Sequence, residues 1–173
     1  MAIEIRPATI FDIHEVYEIE LQCFEEDLRF EKDLFYLFLM GQRGEIFLVA
    51  EEGTSQGERM LVGFIIGYLN NQNNYEIITI NVAPERQNQG IGKQLMLEFE
   101  CILKLKVKNI RQLKKITIEL VVYEQNYAAK HLYEKLGYKE VARIANYYPK
   151  NRTGIKMKKE IMLETRDSSS KNL

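Results

Sequence analysis

The sequence predicts an α/β fold: a mixed, mostly antiparallel central sheet of about seven strands with helices on both faces. Three observations predict it. Residues 46–50 and 60–69 are apolar runs on either side of a Gly53–Gly57 turn, which reads as an antiparallel hairpin. A strand over 75–82 passes through a glycine-bearing turn into a long helical pattern. A further strand, a short helix and two closing strands around Pro149-Lys150-Asn151 follow.

Each element has a local reason. Residues 3–6 alternate apolar and polar and stop at Pro7, which suits a short first strand. From Phe11, apolar residues recur at Ile13, Val16, Tyr17, Ile19 and Phe24, an amphipathic helix with Asp12 as its expected cap. Glu25-Glu26-Asp27 interrupts it, and a second helix over 30–40 is stopped by Gly41. Residues 70–74 are a loop. Beyond the glycine turn, Leu95, Phe99, Ile102 and Leu103 make an apolar stripe on a helix reaching about residue 107. Residues 116–122 read as a strand, and 128–136 as a helix ended by Gly137. Residues 138–147 and 155–163 are the last strand pair. One domain over 1–164 results, and the tail 165–173, with three serines and no core residue, is expected to be disordered. There is no internal repeat.

At 173 residues with 46% apolar content, the chain is large enough to bury its own core. A formal net charge of −1 gives no ground for wholesale nucleic-acid or membrane binding. Cys23 and Cys101 fall in helical patterns far apart and read as buried thiols of a reduced compartment. No basic segment followed by an apolar core opens the chain, and no apolar run approaches the ~20 residues a membrane helix needs. A cytoplasmic protein, monomeric or weakly dimeric, is the expectation. His14 and His131 have no partners at metal-ligand spacing, so no metal is expected. The cysteines lack a paired histidine, so neither carries a signature of covalent catalysis. The basic run Lys104, Lys106, Lys108, Arg111, Lys114 and Lys115 reads as a solvated face.

The turn Gln87-Asn88-Gln89-Gly90-Ile91-Gly92 carries the chemistry. Unpaired N–H groups at a helix start, together with the helix dipole, favour a phosphorylated ligand. Gly90 and Gly92 let the backbone approach it closely. The turn matches neither the Gly-x-Gly-x-x-Gly dinucleotide fingerprint nor a Walker loop. Downstream stands Asn126-Tyr127-Ala128-Ala129-Lys130-His131-Leu132-Tyr133-Glu134-Lys135-Leu136-Gly137-Tyr138. With Val82-Ala83-Pro84 and the glycine turn, it resembles the GNAT superfamily of acetyl-CoA-dependent N-acetyltransferases over nearly the whole chain. Asn146-Tyr147-Tyr148-Pro149 is similar to the C-terminal hairpin of ribosomal-protein-alanine and archaeal protein N-terminal acetyltransferases.

The resemblance implies roles. Main-chain groups of Ile80, Asn81 and Val82 would pair with the pantetheine arm of acetyl-CoA, with the Val82 N–H as oxyanion donor. Asn88, Gln89, Gly90, Ile91, Gly92 and Lys93 would cradle the pyrophosphate, and Asn126 would reach the pantetheine or merely cap its helix. Tyr133 would protonate the departing thiolate. The basic run could instead touch the CoA 3′-phosphate or a ribosomal surface. Phe24, Tyr147 and Tyr148 would line the acceptor groove, and Glu25-Glu26-Asp27 could attract an ammonium group.

The bacterial alanine acetyltransferases carry a glutamate five residues before the motif asparagine; here that position is Val121. Glu76, opening the fourth strand, is the preferred general base, and Glu119, two residues before Val121, the other candidate. The implied acceptor is the α-amine of a protein, ribosomal proteins included. A lysine, a polyamine or another small amine is the alternative, and a non-catalytic acyl-CoA-binding module is a third reading.

Overall fold

The computed structural model describes residues 2–41, 45–53, 57–107 and 115–163. The expected tail 165–173, the centre of the 53–57 turn, and Lys108, Arg111 and Lys114 lie outside the described residues. The elements are β1 (Ile3–Pro7), α1 (Ile13–Cys23), α2 (Lys32–Leu39), β2 (Ile46–Gly53), β3 (Arg59–Leu69) and β4 (Tyr75–Val82). They continue through α3 (Ile91–Val107), β5 (Lys115–Tyr123), α4 (Tyr127–Lys135), β6 (Lys139–Tyr148) and β7 (Arg152–Met162). One seven-stranded sheet results, in the order β1-β2-β3-β4-β5-β7-β6. Its neighbours are antiparallel except β4 and β5. No helix among the described residues is long and apolar enough to cross a membrane.

Each face of the sheet buries its own apolar layer. Leu95, Met96, Phe99 and Leu103 of α3 join Ile118 and Leu120 of β5 and Tyr133 of α4 in one cluster. Ile13, Val16 and Ile19 of α1 and Phe35 of α2 meet Phe47 and Phe64 on the other face. Phe35 sits edge-on to Phe64 at 5.8 Å between ring centroids, a preferred aromatic geometry.

A bulge in β4 governs what each face receives. Ile66 pairs with Thr79 but the next residue, Gly67, pairs with Ile77, leaving Ile78 as the extra residue. Tyr75 and Ile77 therefore point to the α3 layer, as Ile80 and Val82 do further on. Ile78 packs instead with the α1–α2 layer. A one-residue slip exchanges faces because the strand repeat is two.

Two expectations are corrected. Asp12 does not cap α1 with its side chain; its Oδ2 accepts the Thr9 N–H at 2.6 Å and Arg6 Nη1 at 2.8 Å. A fixed guanidinium fork next to the carboxylate outcompetes a helix N–H. Cys101 is exposed, because the apolar stripe of α3 turns it to solvent, and Cys23 is only half-buried.

Candidate active site

β4 and β5 diverge. Their ladder holds only at Tyr75–Ile118, Glu76–Glu119 and Ile77–Leu120, while β5 stays paired with β7 as far as Tyr123 and Gly154. The C-terminal half of β4 thus presents an edge to a gap. The Ala83 N–H donates to the Val62 carbonyl at 2.9 Å, which fixes the phase of the β3–β4 ladder. By alternation, the N–H and C=O groups of Ile80 and Val82 point away from β3, toward the gap. The Asn81 main chain faces β3, so of the three expected residues Ile80 and Val82 are the ones whose main-chain groups face the gap. The Val82 carbonyl accepts from Gln87 Nε2 at 3.0 Å and Cys23 Sγ at 3.4 Å, while the Val82 N–H is turned to the gap with that of Ile80.

The glycine turn follows from two left-handed residues, Asn88 at φ 60° and Gly90 at φ 83°. A Cβ on Gly90 would meet nothing within 4 Å, so the glycine serves conformation rather than space. Gln94 makes the first turn's bond to the Gly90 carbonyl at 3.1 Å. The N–H groups of Ile91, Gly92 and Lys93 precede it and lack an intrahelical acceptor. No acidic residue stands in the first turn of this 17-residue helix, so the positive end of its dipole is uncompensated. Backbone donors and curvature suit a pyrophosphate.

α4 is set by Asn126, whose Oδ1 accepts the Ala129 N–H at 3.1 Å. Asn126 therefore caps the helix, using only its amide oxygen. At the other end Gly137, φ 90°, lets the Tyr138 N–H reach the Tyr133 carbonyl at 3.0 Å. This closure packs the Tyr133 ring against Tyr138 at 6.1 Å. Tyr138 is held in turn by Glu100 Oε1 at 3.2 Å, itself bound by Lys159 Nζ at 2.8 Å. Burial pushes the Tyr133 phenol above its ordinary pKa, so it stays protonated at neutral pH.

Glu76 lies on the opposite face. With Leu37, Phe38, Glu45, Tyr68 and Ile78 it lines a groove of about 520 Å³, and Tyr68 Oη donates to its Oε2 at 3.4 Å. Glu119 shares that face but is 2% exposed. It accepts from Asn70 Nδ2 at 2.7 Å and pairs with Lys158 at 2.9 Å and Lys156 at 3.2 Å. Burial works to raise its pKa, yet the two ammonium groups outweigh burial and hold it below the usual carboxylate range.

The tyrosine pair divides its work. Asn146 adopts φ 57° within a bulge of β6. Tyr148 Oη donates to the Val121 carbonyl at 3.0 Å, tying the hairpin to β5. Tyr147 is 45% exposed and lies across Gly154, where a Cβ would fall 2.9 Å from its Cγ. Burial and the nearby Glu76 charge both raise its phenol's pKa. Phe24, half-buried, ends α1. Glu25 and Asp27 are paired with Arg152 at 2.8 Å and Lys150 at 3.1 Å, so these carboxylates join two loops instead of standing open to an ammonium group.

Sequence reasoning missed Glu20 and Tyr68 as contributors, and it read Gln87 as part of the turn without its bond to the Val82 carbonyl. Glu20 carried a readable mark, an acidic residue at the buried spacing of Val16 and Ile19 on α1. Among the described residues no cluster of His, Cys, Asp and Glu could hold a metal ion. Of the expected basic run, Lys104 and Lys106 are exposed; Lys106 donates to the Glu45 carbonyl at 3.3 Å, and Lys115 pairs with Glu160 at 2.5 Å.

An open mixed sheet with a parted parallel pair, a glycine turn and a helix-borne tyrosine make up the framework of the site. The sequence matches the Acetyltransferase (GNAT) family over residues 13–138. The chain belongs to that family and is an acetyltransferase. It is 30% identical over 138 residues to the N-terminal acetyltransferase B complex catalytic subunit NAA20 of Arabidopsis thaliana, covering 78% of this chain and 74% of that protein. It is 39% identical over 74 residues to the [ribosomal protein bS18]-alanine N-acetyltransferase of Haemophilus influenzae, covering 43% of this chain and 45% of that protein. The crystal structure of the ribosomal-protein-S18-alanine N-acetyltransferase from Escherichia coli superposes with a TM-score of 0.75. It shares 24% identity, covers 96% of this chain and 98% of that one, and shows the same fold.

Proposed function

We propose that this acetyltransferase moves acetyl from acetyl-CoA to the N-terminal α-amine of a protein by direct attack in a ternary complex. The observation that carries the reading is that Tyr133 packs on the α3 face of the sheet while Glu76 lines a groove on the opposite face. Acid and base thus approach one reaction centre from the cofactor side and the acceptor side. The relatives named for N-terminal and ribosomal-protein acetylation support an α-amine acceptor.

The pantetheine arm runs along the edge groups of Ile80 and Val82, as an added strand would. The pyrophosphate rests on residues 88–93 at the α3 N-terminus. Acetyl-CoA supplies an activated thioester; every other contribution belongs to the chain. Glu76 accepts the proton that leaves the ammonium group, whose reference pKa of about 8 asks only for a modest base. The Val82 N–H donates to the oxygen that gains charge. Tyr133 returns a proton to the thiolate as the C–S bond breaks. Phe24 and Tyr147 cover the first residue of the acceptor, while Tyr148 holds the hairpin that carries Tyr147. In this reading Glu119, paired with two lysines and Asn70, supports the β3–β4 loop, and the base role goes to Glu76.

Protein N-termini, ribosomal proteins included, are the proposed acceptors; the proposed setting is the cytoplasm, and the proposed state a monomer or weak dimer without nucleic acid, membrane or metal. Thiol release from acetyl-CoA tests the assignment directly. A peptide with a free N-terminus supports turnover, and the same peptide with a blocked N-terminus and free lysines does not; equal release from both would refute it.

A further inference from the structure

Glu20 is wholly buried, at 0% exposure, yet it is not part of the groove. Its Oε1 accepts the Phe30 N–H at 2.9 Å, and its Oε2 accepts Asn81 Nδ2 at 2.6 Å. One carboxyl therefore joins three segments: α1, the loop over residues 24–31, and β4 beside the gap. Asn81 is 5% exposed, and its Nδ2 also lies 3.3 Å from Thr79 Oγ1. The Arg29 charge favours the anion, and Cys23 lies one turn further along α1.

A buried carboxyl carries a desolvation cost that an apolar residue of similar shape would not. At this position on α1 an apolar side chain would satisfy the packing of Val16 and Ile19. The carboxyl adds a fixed polar link. The loop's own hydrogen bonds are local, Phe24 to Glu20 and Leu28 to Glu25. Its ties to the β6–β7 turn are the ion pairs of Glu25 and Asp27, and ion pairs of this exposed kind contribute little. Phe30 further packs edge-on to Phe35 and Phe38. β4, in contrast, is fixed by its ladder to β3. If the Glu20 link is cut, the loop is the part that moves.

We propose that Glu20 is a positioning residue, which holds the acceptor-side loop in register with the cofactor-side edge of β4 through Phe30 and Asn81. The proposal rests on the reading of Phe24 and its loop as part of the acceptor groove. The Asn81 amide makes the link addressable, since it donates to one carboxylate oxygen while the other serves Phe30.

The test uses the full chain, an acceptor peptide with a free N-terminus, and acetyl-CoA. Glu20→Ala raises the acceptor KM about tenfold or more, leaves the acetyl-CoA Kd within about twofold, and speeds amide hydrogen exchange in residues 24–31. Asn81→Asp sets a second carboxylate against Glu20 and raises the acceptor KM likewise. Combining Glu20→Gln with Asn81→Asp restores a donor–acceptor pair with its polarity reversed. The introduced amide donates to the introduced carboxylate, while its oxygen still accepts from the Phe30 N–H. The acceptor KM of this double variant falls below that of Asn81→Asp alone. A double variant worse than Asn81→Asp overturns the proposal. So does an acetyl-CoA Kd that rises in step with the acceptor KM. If the unaltered protein acetylates no peptide N-terminus, the functional reading fails by itself. The positioning claim then stands or falls on hydrogen exchange: unchanged protection of residues 24–31 in Glu20→Ala overturns it.

Discussion

Glu76 and Glu119 are direct partners across the parallel β4–β5 ladder, yet their surroundings are opposed. Glu119 is clamped by Lys156, Lys158 and Asn70, whereas Glu76 opens onto a groove with Tyr68 as its neighbour. Replacing Glu76 by Gln is expected to lower kcat by about 10²-fold or more and to change the pH–rate profile. Replacing Glu119 by Gln is expected instead to destabilise the fold by about 1–3 kcal/mol, since two lysines lose their counter-charge. Turnover against pH for the first, and chemical denaturation for the second, separate the two. An unchanged profile in Glu76→Gln would return the base role to Glu119.

Tyr133→Phe keeps the ring that packs against Tyr138 and removes only the proton donor. Turnover is expected to fall about 10²-fold with the acetyl-CoA Kd within about twofold. Equal losses in turnover and affinity would identify a packing role.

Gly154→Ala is predicted to act through Tyr147. The added Cβ would stand 2.6 Å from Val121 Cγ1 and 2.9 Å from Tyr147 Cγ, both too close to be tolerated without movement. The acceptor KM is expected to rise while acetyl-CoA affinity holds, as for Tyr147→Ala. Tyr148→Phe, losing its bond to the Val121 carbonyl, is expected to cost about 1 kcal/mol of stability, measured by denaturation.

Burial raises the Glu20 carboxyl from 4.5 to about 7 in the folded protein. Over that interval the folded state binds more protons than the unfolded one, so this residue's contribution weakens as pH rises. The loss reaches up to about 1.4 kcal/mol for each pH unit. Denaturation of the unaltered protein and Glu20→Gln across the interval tests the sign: the variant gains relative stability toward neutral pH. A constant difference between them would contradict the shift.

Periodicity and punctuation made most of the fold legible. The span of β4, the Gly90 turn and the Gly137 stop appear in the sequence as they do in space, because each depends on local composition and sterics. The β4 bulge did not. Ile77-Ile78-Thr79 gives no local sign that Ile78 is the extra residue, since the slip is settled by pairing with Ile66 and Gly67 of β3. Asp12 illustrates the same limit: its cap role was lost to Arg6, six residues earlier, through a contact that only the folded chain supplies. At the site, the turn was readable from its glycines, whereas Tyr133 was named through the family resemblance and Glu76 as a carboxylate opening the fourth strand. The neutralisation of Glu119 by Lys156 and Lys158 was not readable, because it needs the β5–β7 register. Nor was the exclusion of the Asn81 main chain from the gap, which follows from the phase of the β3–β4 hydrogen bonds.

The most direct measurement is mass-spectrometric mapping of acetyl transfer onto a pool of peptides carrying free N-termini and internal lysines. Tyr133 as acid and Glu76 in its groove as base predict label on N-terminal α-amines, lost in Glu76→Gln. Label on lysine ε-amines alone would contradict the account.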